Sequence, residues 1–156
     1  MREALETEGR TAALVTPDVG LARRVESKLA RWGVTPAVSH GRPLRETEAG
    51  ALIALLCDLA LDEGDPVSLA GLFKHPRVTL AADAVARSYI EHEALRGPRR
   101  HETLAELAKL VAKRDSARAL VESVAAALAP LAAVRGSIDL SRFTDAVLES
   151  AEALAS

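Results

Sequence analysis

The chain has 156 residues, of which 49% are hydrophobic and 3% aromatic, and its formal net charge at pH 7 is −2. That length suits one compact domain, or a small α/β piece joined to a helical one. Alanine, leucine and valine supply most of the apolar residues, which favours helices with small-residue packing and argues against an all-β fold. The charge gives no long-range attraction for a polyanion, so contact with nucleic acid would need a local patch or a larger parent protein.

The composition also indicates the cellular setting. The only cysteine, Cys57, lies in the apolar run of residues 51–57, where it is predicted to be a small core residue and cannot form an internal disulfide. No apolar stretch approaches the ~20 residues needed to cross a bilayer. We therefore expect a soluble protein in a reducing cytoplasm, with no membrane partner.

The first forty residues predict a strand-helix-strand element. Residues 11–15 form a short apolar run that ends at a proline, which is typical of a buried strand. A helix is predicted next, capped by Thr16 or Asp18 and closed by Gly33 in the left-handed conformation. Residues 34–38 contain a proline and predict an edge strand or an extended segment. The apolar face of the intervening helix is predicted to consist of Leu21, Ala22, Val25, Leu29 and Trp32.

The rest of the chain has a helical pattern. The clearest start is Asp65-Pro66, since a capping side chain followed by proline is a common helix beginning. The predicted fold class is therefore α+β and predominantly helical. The predicted helices span residues 47–61, 66–73, 80–96, 102–113, 115–129 and 141–154.

One motif superficially resembles a nuclease signature. Pro17-Asp18 followed by Glu26-x-Lys28 has the order of PD-(D/E)xK, in which two acidic groups bind a divalent metal. On a helix, Glu26 would lie about 12 Å along the axis from Asp18, too far to share an ion. We interpret the pair as a helix cap and a solvated charged turn. Since the chain also has no phosphate-binding glycine loop, and its histidines do not have zinc-ligand spacing, we expect no nucleotide, metal or other cofactor.

Two basic clusters are candidate contacts for nucleic acid or a partner. Arg24, Lys28 and Arg31 fall at i, i+4 and i+7 on the first predicted helix, with Arg23 beside them. The second cluster surrounds Gly97-Pro98 and consists of Arg96, Arg99 and Arg100, and Arg42 in the turn after the helix is a further candidate. The ordinary interpretation of both clusters is a solvated surface, and neither is interleaved in sequence with the aromatic residues that bind single strands.

Several short segments of the first hundred residues occur in a distinctive order, namely residues 9–18, 21–25, 29–34, 39–44, 47–52, 72–76 and 93–99. In that order they resemble the alphaproteobacterial type of AddB, a subunit of a helicase-nuclease that repairs DNA double-strand breaks. Each segment is weak alone, and the ordered set is more specific. The positions that match the family pattern include Thr16, Pro17, Asp18, Gly41, Lys74, His75 and Pro76.

The resemblance implies a fold. In the wider superfamily 1 helicases, a similar strand-helix-strand segment opens the second RecA-like motor lobe and a helical insertion follows a proline turn, which here would be His75-Pro76. It therefore implies that residues 1–78 form part of a RecA-like lobe. Residues 79–156 would form a helical, bundle-like subdomain.

The resemblance also implies a non-catalytic role. Active motors usually end the first strand of this lobe with an arginine that reaches the nucleotide phosphates, whereas Asp18 places an acid there. AddB keeps the helicase architecture without being a working motor, and its nucleotide loop, nuclease domain and iron-sulfur cysteines would lie outside these residues. The expected function is thus a scaffold in double-strand break repair and recombination, with DNA and an AddA-like subunit as partners.

Two other functions remain open from the residues alone. The alanine-rich C-terminal helices favour a helical protein-interaction module that buries them against a partner or a second copy. A small metal-dependent nuclease would require Asp18 and Glu26 to meet at one ion.

Overall fold

The computed structural model describes residues 4, 6–39, 41–134 and 139–155, and these form an all-helical protein. Its residues divide into two compact units, Met1–Arg42 (unit 1) and Pro43–Ser156 (unit 2). Unit 1 contains helix α1, Val19–Ala30. Unit 2 contains α2 Glu48–Leu61, α3 Pro66–Lys74, α4 Ala84–Ile90, α5 Leu104–Leu110, α6 Asp115–Ala127, α7 Ala129–Ala133 and α8 Leu140–Ala155.

Most helices begin where a short polar side chain can accept a hydrogen bond from a free backbone amide. Thr47 accepts from Gly50 at the start of α2, and Asp65 accepts from Ser68 at the start of α3, where Pro66 occupies the first turn. Thr103 caps α5 in the same way. These caps satisfy donors that have no partner within the helix. Helix α3 starts at Pro66 as predicted, and α2 and α5 start within two residues of their predicted positions.

The predicted helix over residues 80–96 is interrupted. A 3-10 turn covers Thr79–Ala81, α4 begins only after Asp83, and a π-helical turn follows at Glu91–Leu95. The delay has a local cause, because the Asp83 carboxylate accepts the amides of Val85 and Ala86 and so fixes a new helix start.

Unit 2 has a continuous apolar core. Helix α2 packs against α3 and α8, α5 packs against α6, and α7 packs against α8. The predicted core residue Cys57 is half-buried in α2. Within the described part of the chain, no helix is both long and apolar enough to cross a bilayer. The most deeply buried side chains of this core are Leu56, Leu69, Leu72, Ile90, Leu107 and Leu154.

The strand predicted over residues 11–15 is wrong, and so is the edge strand that was one of two alternatives for residues 34–38. Residues 11–15 and 34–38 lie outside helices and strands, and the described residues contain no strand anywhere. Val15, which was predicted to be buried, is 94% exposed. An apolar run indicates a preference for burial but supplies no neighbour, and a strand is stable only when other strands satisfy its backbone groups. The α+β class and the RecA-like strand-helix-strand element implied by the resemblance are therefore both overturned.

Candidate nucleic-acid interface

Asp18 serves as the cap of α1. Its Oδ1 accepts the Leu21 amide at 3.0 Å, and its own amide donates to Thr16 Oγ1 at 3.1 Å. Its Oδ2 lies 4.0 Å from the guanidinium of Arg24. No group of three or more potential metal ligands occurs among the residues described. The carboxylate that would bind a metal in the nuclease-like motif is thus a helix cap, and its side chain remains exposed.

The other end of α1 is closed by a Schellman turn. The Gly33 amide donates to the Ala30 carbonyl and the Val34 amide donates to the Leu29 carbonyl, both at 3.0 Å. Gly33 has a φ of +75°, which residues other than glycine rarely adopt. This confirms the predicted closure at Gly33, and it fixes the backbone on both sides of Trp32.

Trp32 leaves the apolar face to which the sequence assigned it. The helix ends at Ala30, and 66% of the Trp32 residue is exposed. Lys28, Arg31 and Trp32 together line a shallow depression of about 350 Å³. We call these three residues the cationic-aromatic surface. The sequence contained one indication of it, namely that Trp32 falls just beyond the last predicted helical turn, where the 3.6-residue period no longer decides which way a side chain points.

The surroundings of this surface are positively charged. Residues 10–42 contain six lysines and arginines against two acidic residues, although the whole chain is slightly acidic. Of the other predicted contacts in unit 1, Arg23 is half-buried, while Arg24 and Arg42 are exposed. Helix α1 thus carries a local excess of positive charge that the net charge of the protein conceals.

The second basic cluster belongs to unit 2 and is largely engaged in structural contacts. Arg99 binds both carboxylate oxygens of Asp62, at 2.6 and 2.7 Å, and its Nε donates to the His101 carbonyl at 2.8 Å. This bidentate pair holds the pKa of Arg99 above its ordinary value. Arg96 binds Glu91 at 2.9 Å, whereas Arg100 is exposed. The sequence predicted a contact loop here, and the structure places Arg96 and Arg99 where they hold that loop to the helices.

Lys74, one of the family-like positions, is also in an ion pair. Its Nζ lies 2.8 Å from a carboxylate oxygen of Glu91, which Arg96 binds as well. The Lys74 hydrogen bond, and then that of Arg96, lower the pKa of Glu91 to about 2. Lys74 therefore ties the end of α3 to the π-helical turn.

The remaining family-like positions lie in turns. His75 is buried and donates from Nε2 to the Glu48 carbonyl at 3.0 Å, while its Nδ1 accepts the Arg77 amide at 3.2 Å. Pro76 follows it on the surface, and Gly41 has a φ of +67°. The neighbouring His40 lies outside the described residues. The His75-Pro76 turn that the sequence singled out thus ends α3 and holds it to the start of α2.

Unit 1 also contains an apolar cleft of about 440 Å³ between α1 and the segments 10–16 and 34–39. Leu29 is the one buried apolar side chain among the described residues of this unit. Val25 and Val34 are half-buried, and most of the other large apolar side chains are exposed, which is typical of a surface that another molecule covers. These exposed side chains are Leu14, Val15, Val19, Leu21, Trp32 and Val38.

Comparisons of the chain with protein-family models, with curated proteins and with solved structures found no match.

Proposed function

We propose that this chain is a non-catalytic scaffold segment of an AddB-like helicase-nuclease subunit, and that it contacts DNA through the end of α1 and the turn that follows it. The observation that carries the proposal is the cationic-aromatic surface, in which Lys28, Arg31 and an exposed Trp32 line one depression. Cations and an exposed aromatic ring on one surface are the combination by which proteins bind nucleic acid strands.

The parent protein is proposed from the sequence resemblance alone. The ordered segments between residues 9 and 100 support an AddB-like subunit, with an AddA-like subunit as its partner and double-strand break repair in the cytoplasm as its setting. The RecA-like strand element is not part of this proposal.

The scaffold role is supported by how the polar groups are used. Asp18 caps a helix, His75 closes the turn after α3, and Arg99 holds a loop through Asp62. Each of these side chains has a structural partner that accounts for it. Catalysis in the proposed complex would then belong to other parts of the parent protein or to its partner.

The expected affinity is weak and dependent on salt. The three cations Arg24, Lys28 and Arg31 would release counterions from duplex DNA with a slope of log K against log salt of about −2.7, or about −2 on a single strand. Between 50 and 200 mM salt, the affinity would then fall roughly 20- to 40-fold. Dissociation constants should lie in the range of about 10⁻⁴ to 10⁻⁶ M, which is typical of non-specific binding.

Fluorescence anisotropy with labelled oligonucleotides tests the proposal. We expect the double variant Lys28→Ala/Arg31→Ala to lose most of the binding and to reduce the salt slope by about 1.8 on a duplex or about 1.4 on a single strand. Arg142→Ala is the matched control, because Arg142 is an exposed arginine on α8 in unit 2. Equal binding by the wild type and the double variant would refute the assignment to α1, and tight, salt-resistant binding would contradict the mechanism.

A helical protein-interaction or dimerisation module is the second candidate function. The observation that favours it is the apolar cleft of unit 1, together with exposed side chains such as Val15 and Val38. Light scattering combined with the oligonucleotide assay distinguishes the two functions. A dimer that does not bind DNA would favour the interaction module, and a monomer that binds DNA would favour the scaffold.

A further inference from the structure

We infer that the cationic-aromatic surface binds an unpaired base of a single-stranded nucleic acid, stacked on the indole of Trp32, with the adjoining phosphates held by Lys28 and Arg31. This inference rests on the proposed function, that α1 contacts nucleic acid, and adds the strandedness of the ligand and the role of each residue.

The arrangement of the three side chains carries the inference. Lys28 lies in the last turn of α1, and Arg31 and Trp32 follow directly after the helix ends at Ala30. All three line the same depression. A nucleotide has an apolar base and a negatively charged phosphate, and this surface offers an exposed aromatic ring together with two cations.

The backbone that carries Trp32 is held in place before any ligand arrives. Gly33 and Val34 bond back to Ala30 and Leu29, and the Leu29 side chain is buried at 5% exposure. A fixed backbone reduces the conformational entropy that the indole loses on binding. The Schellman turn therefore fixes the backbone from which the ring projects.

The same features argue for a single strand over a duplex. In a duplex, each base has its faces covered by its neighbours, so the exposed face of Trp32 would contact only sugar and phosphate edges. In a single strand, a base can unstack onto an aromatic ring, and each such contact strengthens binding measurably. Lys28 and Arg31 act on either ligand, whereas Trp32 acts only on unpaired bases.

A protein segment is a poorer fit to this surface. An apolar segment placed on Trp32 would also cover Lys28 and Arg31, and burying a charge without a partner is unfavourable. The cleft lined by Leu14 and Val38 is the part of unit 1 suited to such a segment. The cationic-aromatic surface is therefore assigned to nucleic acid, and a peptide ligand is an outcome that the test can reveal.

Trp32 is the only tryptophan of the chain, so its fluorescence reports directly on this surface. The experiment titrates the full chain with a thymine oligonucleotide, a duplex of equal length and an abasic strand that has the same phosphates and no bases. We expect the thymine strand to quench the tryptophan fluorescence, and the abasic strand and the duplex to leave it nearly unchanged.

Variants separate stacking from charge. Since stacked aromatic residues typically contribute about 5- to 150-fold to affinity and Trp32 is largely exposed, we expect Trp32→Ala to weaken single-strand binding about 5- to 10-fold. Duplex binding should stay within twofold, and Trp32→Phe should retain much of the single-strand affinity. Circular dichroism should show unchanged helicity, because the ring is mostly outside the core.

The outcomes distinguish this inference from the proposed function on which it rests. If all three ligands bind equally and the fluorescence of Trp32 does not change, stacking is refuted, while the proposed DNA contact by α1 is not. If none of the ligands binds, both are refuted. If an acidic peptide containing an aromatic residue quenches Trp32 and the thymine strand does not, the surface is a protein-binding site and the inference fails.

Discussion

Replacing His101 with leucine is expected to raise the free energy of unfolding, although it removes a polar side chain from the core of unit 2. His101 is 2% exposed, and neither ring nitrogen has a hydrogen-bond partner among the described residues. A buried polar group without a partner typically costs about 1–3 kcal/mol, and a neutral imidazole contains one donor and one acceptor. Leucine has no polar atoms, so we expect a gain of about 1–2 kcal/mol, reduced by imperfect packing of the new side chain.

The same substitution should alter the pH dependence of stability. Burial, and then the positive charge of Arg99, lower the pKa of His101 below its ordinary value of about 6.5, while Glu102 and Glu106 oppose this shift. The unfolded chain therefore binds a proton in a range where the folded protein does not. The free energy of unfolding of the wild type is therefore unaffected by this titration above about pH 6.5. It decreases as pH falls from there towards the pKa of His101 in the folded protein, by up to about 1.4 kcal/mol for each pH unit.

Urea denaturation of the wild type and of His101→Leu, at about pH 8 and about pH 5.5, measures both effects. The difference in stability between the two proteins should widen at the lower pH. His92→Leu is the control, because His92 is an exposed histidine of the π-helical turn and should leave the curves unchanged. A constant difference at both pH values, or a less stable leucine variant, would refute the reasoning.

Three further substitutions test the structure of unit 2. Leu72→Ala, at a fully buried position, should lower the free energy of unfolding by about 3–5 kcal/mol in urea denaturation, whereas Leu61→Ala, at an 89% exposed position, should change it by less than about 0.5 kcal/mol. Asp65→Ala should cost about 1 kcal/mol through loss of the α3 cap, and Asp65→Asn, which retains an acceptor, should cost much less in the same assay. Lys74, and then Arg96, lower the pKa of Glu91 from about 4.5 to about 2, so the ionised Glu91 stabilises the fold fully above about pH 4.5. This stabilisation is lost as pH falls to about 2. The melting temperature of Glu91→Gln should therefore depend less on pH in that range than that of the wild type.

The helices of unit 2 were accessible from the sequence because their boundaries are local. Thr47, Asp65 and Thr103 each precede an apolar run and can satisfy a free amide within three residues. Whether such a cap forms depends on the neighbouring backbone and hardly on the rest of the fold. The π-helical turn at Glu91–Leu95 is instead accompanied by a tertiary ion pair between Glu91 and Lys74, and no local sequence pattern predicted it.

The structure of unit 1 was less accessible because it depends on partners that the sequence does not specify. The apolar run at residues 11–15 predicts burial, and it could satisfy that preference only against other strands or another molecule. Trp32 was assigned to the apolar face by its spacing from Leu29, yet the helix ends between them and the ring becomes exposed. Periodicity identifies a face only within the helix, so a residue just beyond the last turn is where this inference fails.

The division of the core between the two units indicates where function lies. In unit 2, the buried apolar side chains form one cluster, so most of its apolar sequence is explained by folding. In the described part of unit 1, only Leu29 is a buried apolar residue, and a helix as short as α1 is marginal in water by itself. A segment that leaves its tryptophan, several aliphatic side chains and most of its cations on the surface is poorly explained by folding alone. Recognition of another molecule accounts for both the exposed apolar residues and the excess positive charge, which is why the proposed contacts are assigned to α1 and not to the better-packed helices of unit 2.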